Sequence, residues 1–82
     1  MQVILSEDAK KQYKRLPLNE QNKIRKKLLS LEQNPFNGKK LTGEFSNYYS
    51  IKVWPYRIIY EINISLKRVE VHKIAHRQGV YK

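Results

Sequence analysis

The hydrophobic period of this chain changes once, and that change divides it into a helical part and a strand part. Early in the chain, Ala9, Tyr13 and Leu16 fall at i, i+4 and i+7 on one helical face. Ile24, Leu28 and Leu31 repeat that spacing, with Leu29 widening the stripe. From Tyr48 onward the character is β, in three runs rich in Val, Ile and Tyr at 48–53, 57–62 and 69–75. Two amphipathic helices cannot bury their apolar sides alone, so the strands are the surface they must lie on.

The punctuation supports this division. Residues 2–5 are apolar and β-rich and read as a short first strand. The Ser6 hydroxyl suits a helix N-cap, and Glu7 and Asp8 suit its positive end. Pro17 breaks or restarts the helix. The second helix covers 19–33 and stops at Asn34-Pro35. Pro35, Asn37-Gly38 and Gly43 mark 35–47 as a loop. Trp54-Pro55-Tyr56 and residues 63–67 form the turns between the last three strands, and connections this short favour an antiparallel meander. The predicted fold is α+β, in the order β-α-α-β-β-β, with two N-terminal helices packed on one face of an antiparallel sheet. At 82 residues it forms one domain, 1–82, with a modest core.

Seventeen Lys and Arg against seven Asp and Glu give a formal charge of +10. An anionic partner relieves the self-repulsion this creates, and a polyphosphate backbone is the commonest such partner. Residues 1–38 and 39–82 are both basic, so the charge is not a tail on a neutral body. The absence of cysteine excludes a disulfide scaffold, a thiolate metal site and a cysteine nucleophile. Residues 1–5 soon meet Glu7 and Asp8 and lack the pattern of a signal peptide. No apolar run is long enough to span a membrane. A cytoplasmic location is expected.

Catalytic options narrow by elimination. The single aspartate, Asp8, opens a helix and is badly placed to orient a triad histidine. Glu61 and Glu70 fall on different strands among basic residues and are expected to be ion-paired rather than to act as a carboxylate pair. His72 and His76 have a zinc-like spacing only on a helix; on a strand, four residues span about 13 Å, so no metal site is expected. What is left is cationic and aromatic: Lys52, Arg57, Lys73, His76, Arg77, Tyr81 and Lys82, with Tyr48, Tyr49, Trp54 and Tyr56 nearby. Such groups suffice to cut RNA. Arginine donors suit the charge that gathers on a phosphorane, and a shifted lysine or histidine can move protons. The same residues also describe a plain RNA-binding module, or solvated charge.

The whole chain resembles the RelE/ParE toxin superfamily, and most closely its RelE-like ribonuclease branch. The likeness lies in Leu41-Thr42-Gly43, Tyr49-Ser50-Ile51-Lys52-Val53, Tyr56-Arg57-Ile58-Ile59-Tyr60-Glu61-Ile62 and Val69-Glu70-Val71-His72-Lys73-Ile74-Ala75-His76-Arg77, with Val80-Tyr81 behind. Leu16-Pro17 and Asn34-Pro35 fit the same pattern. The resemblance implies a toxin of a type II toxin–antitoxin system that cleaves messenger RNA in the ribosomal A site, with no cofactor, and is neutralised by a RelB-like antitoxin. Carried over by position, Arg57 stabilises the phosphorane, Lys52 supplies charge or moves a proton, Arg77 follows the last strand, and Tyr81 stacks on or activates the cleaved nucleotide. His76 is acid or base, or only a hydrogen-bond partner of the chain end. Lys73, Lys82 and Tyr49 are candidate RNA contacts, as are Lys23, Lys26 and Lys27 on the second helix. Ser50 stands where some RelE-like toxins have a second lysine, which leaves the general base open. Two other readings stand beside this one: a ParE-like inhibitor of DNA gyrase, and an RNA-binding relative without strong catalysis.

Overall fold

The computed structural model describes residues 1–76, arranged as two helices on one face of a five-stranded sheet. Strand β1 (Gln2–Leu5) leads into helix α1 (Glu7–Arg15), and helix α2 (Leu18–Gln33) follows. Short 3-10 turns at Pro35–Asn37 and Gly43–Phe45 flank strand β2 (Lys39–Lys40). Strands β3 (Tyr49–Val53), β4 (Tyr56–Asn63) and β5 (Arg68–His76) complete the order.

Local chemistry sets the helix ends. The Ser6 hydroxyl accepts from the Ala9 N–H at 3.0 Å, satisfying one orphan donor of α1. Leu16 turns to extended backbone before Pro17, which ends α1. The Gln21 side chain then donates to the carbonyls of Tyr13 and Leu16, each at 3.1 Å, and so ties the joint between the two helices.

The sheet order is β1-β5-β4-β3-β2. Strands β3, β4 and β5 form the antiparallel meander that their short turns predict. Two features differ from the sequence reading. Strand β1 pairs in parallel with β5, making the sheet mixed. No tight turn links those two strands; both helices and strands β2, β3 and β4 lie between them along the chain, so a hairpin constraint on direction is missing. Strand β2 lies inside the stretch read as loop. It consists of two exposed lysines paired with Ser50 and Tyr49, and so has no apolar alternation to announce it.

The β4–β5 ladder slips between Ile59 and Tyr60: Ile59 pairs with Lys73 and Tyr60 with Val71, which leaves His72 as an extra residue. The outer edge of β5 runs past the end of β1. There α1 and its cap satisfy the backbone: the Ser6 hydroxyl donates to the His72 carbonyl at 2.9 Å, and the Gln12 side-chain oxygen accepts from the Ile74 N–H at 2.8 Å.

The core lies between the helices and the inward face of the sheet. Ala9, Ile24 and Leu31 meet Ile51, Val53, Ile58, Tyr60, Val69, Val71 and Ile74. Each fully buried Ile, Leu or Val contributes about 1.5–3 kcal/mol. Leu29 lies off this stripe and is 54% exposed. Tyr60 is fully buried, and its hydroxyl is satisfied in both senses. It donates to the Pro35 carbonyl at 2.8 Å and accepts from the Gly38 N–H at 3.0 Å. Burial pushes the phenol pKa up, partly opposed by the Gly38 hydrogen bond. Gly38 is required by this approach rather than by its backbone angles, because a Cβ there would collide with the Tyr60 hydroxyl. Among the described residues, no helix is long and apolar enough to cross a membrane.

Candidate nucleic-acid interface

Alternation along the strands sends Ile51, Ile58, Tyr60, Val71 and Ile74 toward the helices, so their neighbours occupy the opposite, open face. Lys52 stands directly across from Arg57, and Arg57 across from Ala75. In the next open-face row, Ser50 faces Ile59, and Ile59 faces Lys73. Lys52, Arg57 and Lys73 therefore share one end of one surface, near the β3–β4 turn. Lys52 and Lys73 are exposed and Arg57 half-buried. Among the described residues, none of the three makes an ion pair. Like charges directly opposite on neighbouring strands are destabilising, and a bound anion removes that cost. Ser50 forms part of the floor beside Lys52; it is 5% exposed, and its hydroxyl has no hydrogen-bond partner among the described residues.

His76 ends β5 across from Tyr56, with the two rings edge to face at 5.6 Å. Because Ala75 is the open-face partner of Arg57, alternation puts His76 with Tyr56 on the helix side, so, contrary to the sequence expectation, it is not gathered with Lys52 and Arg57. Arg77, Tyr81 and Lys82 lie outside the described residues.

The other end of the open face is organised differently. Glu61 follows Arg57 by four residues along β4, or about 13 Å. Its carboxylate takes a hydrogen bond from His72 Nε2 at 2.7 Å. An ionised carboxylate only accepts, so Nε2 carries the hydrogen. Tyr48, one residue before β3, sets its ring edge to face with His72 at 5.2 Å. Arg68 holds Glu70 at 2.8 Å. Of the two expected ion pairs, Glu70 makes one, with Arg68, whereas Glu61 is hydrogen-bonded to His72, and Arg57 is not its partner.

The remaining candidates sit elsewhere. Tyr49 lies on the helix side of the sheet, stacked on Tyr60 at 5.5 Å and edge to face with Phe36 at 6.1 Å. Lys23, Lys26 and Lys27 belong to α2, in the layer behind the sheet, and Lys23 pairs with Glu20 at 3.6 Å. The fold gathers Lys52, Arg57 and Lys73, and brings neither Tyr49 nor the α2 lysines to them. Sequence reasoning did not isolate the Tyr48–His72–Glu61 group. Counting back from the β3–β4 turn puts Tyr48 opposite Glu61, but only the slip at His72 completes the set.

This arrangement has close structural parallels. The RelBE2 toxin–antitoxin complex from Mycobacterium tuberculosis superposes with a TM-score of 0.85 at 23% identity, over 93% of this chain and 96% of that one. A YoeB/ParE toxin from Agrobacterium tumefaciens gives 0.80 at 21%, over 93% and 98%. The RelE–RelB complex from Pyrococcus horikoshii gives 0.79 at 23%, over 96% and 97%. At these identities the likeness establishes the fold. No curated protein sequence is similar enough to add a nearer relative. The family of ParE toxins of type II toxin–antitoxin systems, parDE, matches residues 3–81. With that match along nearly its whole length, and with the RelE fold beneath it, the chain belongs to the ParE toxin family of the RelE/ParE superfamily.

Proposed function

We propose that this toxin is a metal-independent endoribonuclease that cleaves messenger RNA in the ribosomal A site and so stops translation in the cytoplasm. The observation that carries the reading is the Lys52–Arg57 cross-strand pair, two cations face to face with Lys73 nearby and no acidic partner among the described residues. A scissile phosphate bridging them would gain charge-assisted hydrogen bonds. In the reaction the 2′-hydroxyl gives up its proton and its oxygen attacks the adjacent phosphorus. The bond to the 5′-oxygen breaks, that oxygen takes a proton, and a 2′,3′-cyclic phosphate remains. Arg57 and Lys52 hold the charge that gathers on the phosphorane, where such preorganised donors act most strongly. Arg77 adds charge, Lys52 moves a proton, and Tyr81 stacks on the cleaved nucleotide. Lys73 and Lys82 track the RNA backbone, while Lys23, Lys26 and Lys27 meet ribosomal RNA from the helix layer. A RelB-like antitoxin is the neutralising partner, as the M. tuberculosis and P. horikoshii complexes suggest.

The test is to add the purified protein to a translating extract and map the 5′ ends of the message. New ends inside codons of ribosome-bound messages, lost in Arg57→Ala and Tyr81→Phe, support the reading. A second reading, inhibition of DNA gyrase, is favoured by the parDE description of the matching family. Intact message together with relaxed plasmid DNA would establish that second reading and overturn the first.

A further inference from the structure

The cationic end of the open face accounts for a phosphate. It does not account for the group beside it. Glu61, His72 and Tyr48 lie on the same surface, and Glu61 follows Ile59, the cross-strand partner of Lys73, by two residues, or about 7 Å. A carboxylate on a face that binds polyanions opposes backbone binding at that point, so a phosphate is the wrong occupant for it. An acceptor of this kind suits the donor edge of a base.

We infer that Glu61 and His72, with Tyr48 behind them, form a nucleobase subsite that accepts a base carrying an exocyclic amino group and rejects uracil; this rests on the nuclease reading above. Three observations support it. First, the group is reachable: the side chains of His72 and Glu61 are 39% and 36% exposed. Second, it is held in place. His72 is gripped by Glu61 at 2.7 Å and by the Tyr48 ring at 5.2 Å, and the bulge turns it onto the same face as Lys73. Third, it has capacity to spare. Among the described residues, the one side-chain partner of the Glu61 carboxylate is His72, and a carboxylate offers about four lone-pair positions.

The discrimination follows from base chemistry. Adenine, cytosine and guanine each present an amino group whose N–H can donate to Glu61. Uracil presents one ring N–H between two carbonyls, and both carbonyls repel the carboxylate. The His72 ring gives the base an aromatic neighbour, and Tyr48 acts as a positioning residue through His72.

The experiment uses the full chain in a translating extract, with cleavage ends mapped across many messages. For the wild type, uridine should be depleted by about fivefold or more at one fixed position beside the cut, the ratio expected of one good base contact. Glu61→Gln, which keeps size and hydrogen bonding but offers a donor as well as an acceptor, should continue to cut and should lose that depletion. A merely structural role for the Glu61–His72 pair would change melting temperature without moving the base preference. Cutting by the wild type with uridine at its ordinary frequency in every flanking position overturns the inference, as does depletion that survives in Glu61→Gln. Failure of the wild type to cut any message is a different outcome, and it removes the nuclease reading together with this one.

Discussion

On the helix side of the sheet, Ile58 and Tyr60 are wholly buried, and the one polar atom among them, the Tyr60 hydroxyl, has both of its hydrogen bonds made. One residue away on the same strand, Arg57 faces outward against Lys52 without an acidic partner among the described residues. The two faces share a backbone and differ in what is left unsatisfied. The covered face is complete without a partner, so its side chains serve stability. At its Lys52–Arg57 end the open face carries like charges without an acidic partner among the described residues, a repulsion that a bound anion relieves, so these side chains are expected to serve binding and chemistry.

Neighbouring substitutions on β4 test this contrast most directly. Arg57→Ala should lower message cleavage about 100-fold or more, as loss of a donor to a developing anion does, with stability changed by less than about 1 kcal/mol. Ile58→Ala should cost about 2–5 kcal/mol in urea unfolding, because it opens a cavity in the core. If the two variants exchange these phenotypes, or share one, the division between the faces is wrong.

Tyr60→Phe comes next. It leaves the Gly38 N–H without its acceptor and should cost about 1–3 kcal/mol. Its pH dependence sharpens the point. The phenol pKa is raised in the folded state, so the unfolded chain ionises first as pH rises. The stability associated with the neutral phenol is intact below pH 10 and declines above it. The gap in stability between the wild type and Tyr60→Phe should therefore shrink as pH rises above 10, while lysine titration affects both proteins alike. Thermal unfolding of the pair at pH 9 and pH 11 measures this, and a constant gap would show that burial does not hold the phenol neutral.

The smallest expected effect has the opposite sign. Lys52→Met removes one of two facing cations and should raise the melting temperature slightly, by a few tenths of a kcal/mol in stability, while lowering RNA cleavage. A loss of stability in that variant would mean that Lys52 has a favourable partner, and would weaken the case for an anion site.

Much of this frame is legible in the sequence. The helical spacing of Ala9, Tyr13, Ile24 and Leu31, the Ser6 cap, and the stops at Pro17 and Asn34-Pro35 are local signals, and each produced the element expected of it. The Trp54-Pro55 turn was enough to set Lys52 beside Arg57. Less legible were the elements decided by distant contacts. Lys39 and Lys40 form a strand because β3 presents an edge to them. Tyr49 looks like an exposed aromatic among cations, yet alternation turns it inward against Tyr60. Gly38 reads as turn chemistry, whereas its role is to let the backbone reach the Tyr60 hydroxyl.

By itself, then, the sequence determined the order of elements, the two-layer class and a shared place for Lys52 and Arg57, because periodicity, caps and tight turns act over a few residues. The direction of β1 against β5, the slip at His72 and the pairing of Glu61 with His72 rather than Arg57 were decided only in the tertiary structure. Those features depend on which strands meet and in what register, and a one-residue slip changes which charges share a face. The same register that leaves the cations near the β3–β4 turn without acidic partners also occupies the carboxylates at the far end of the open face.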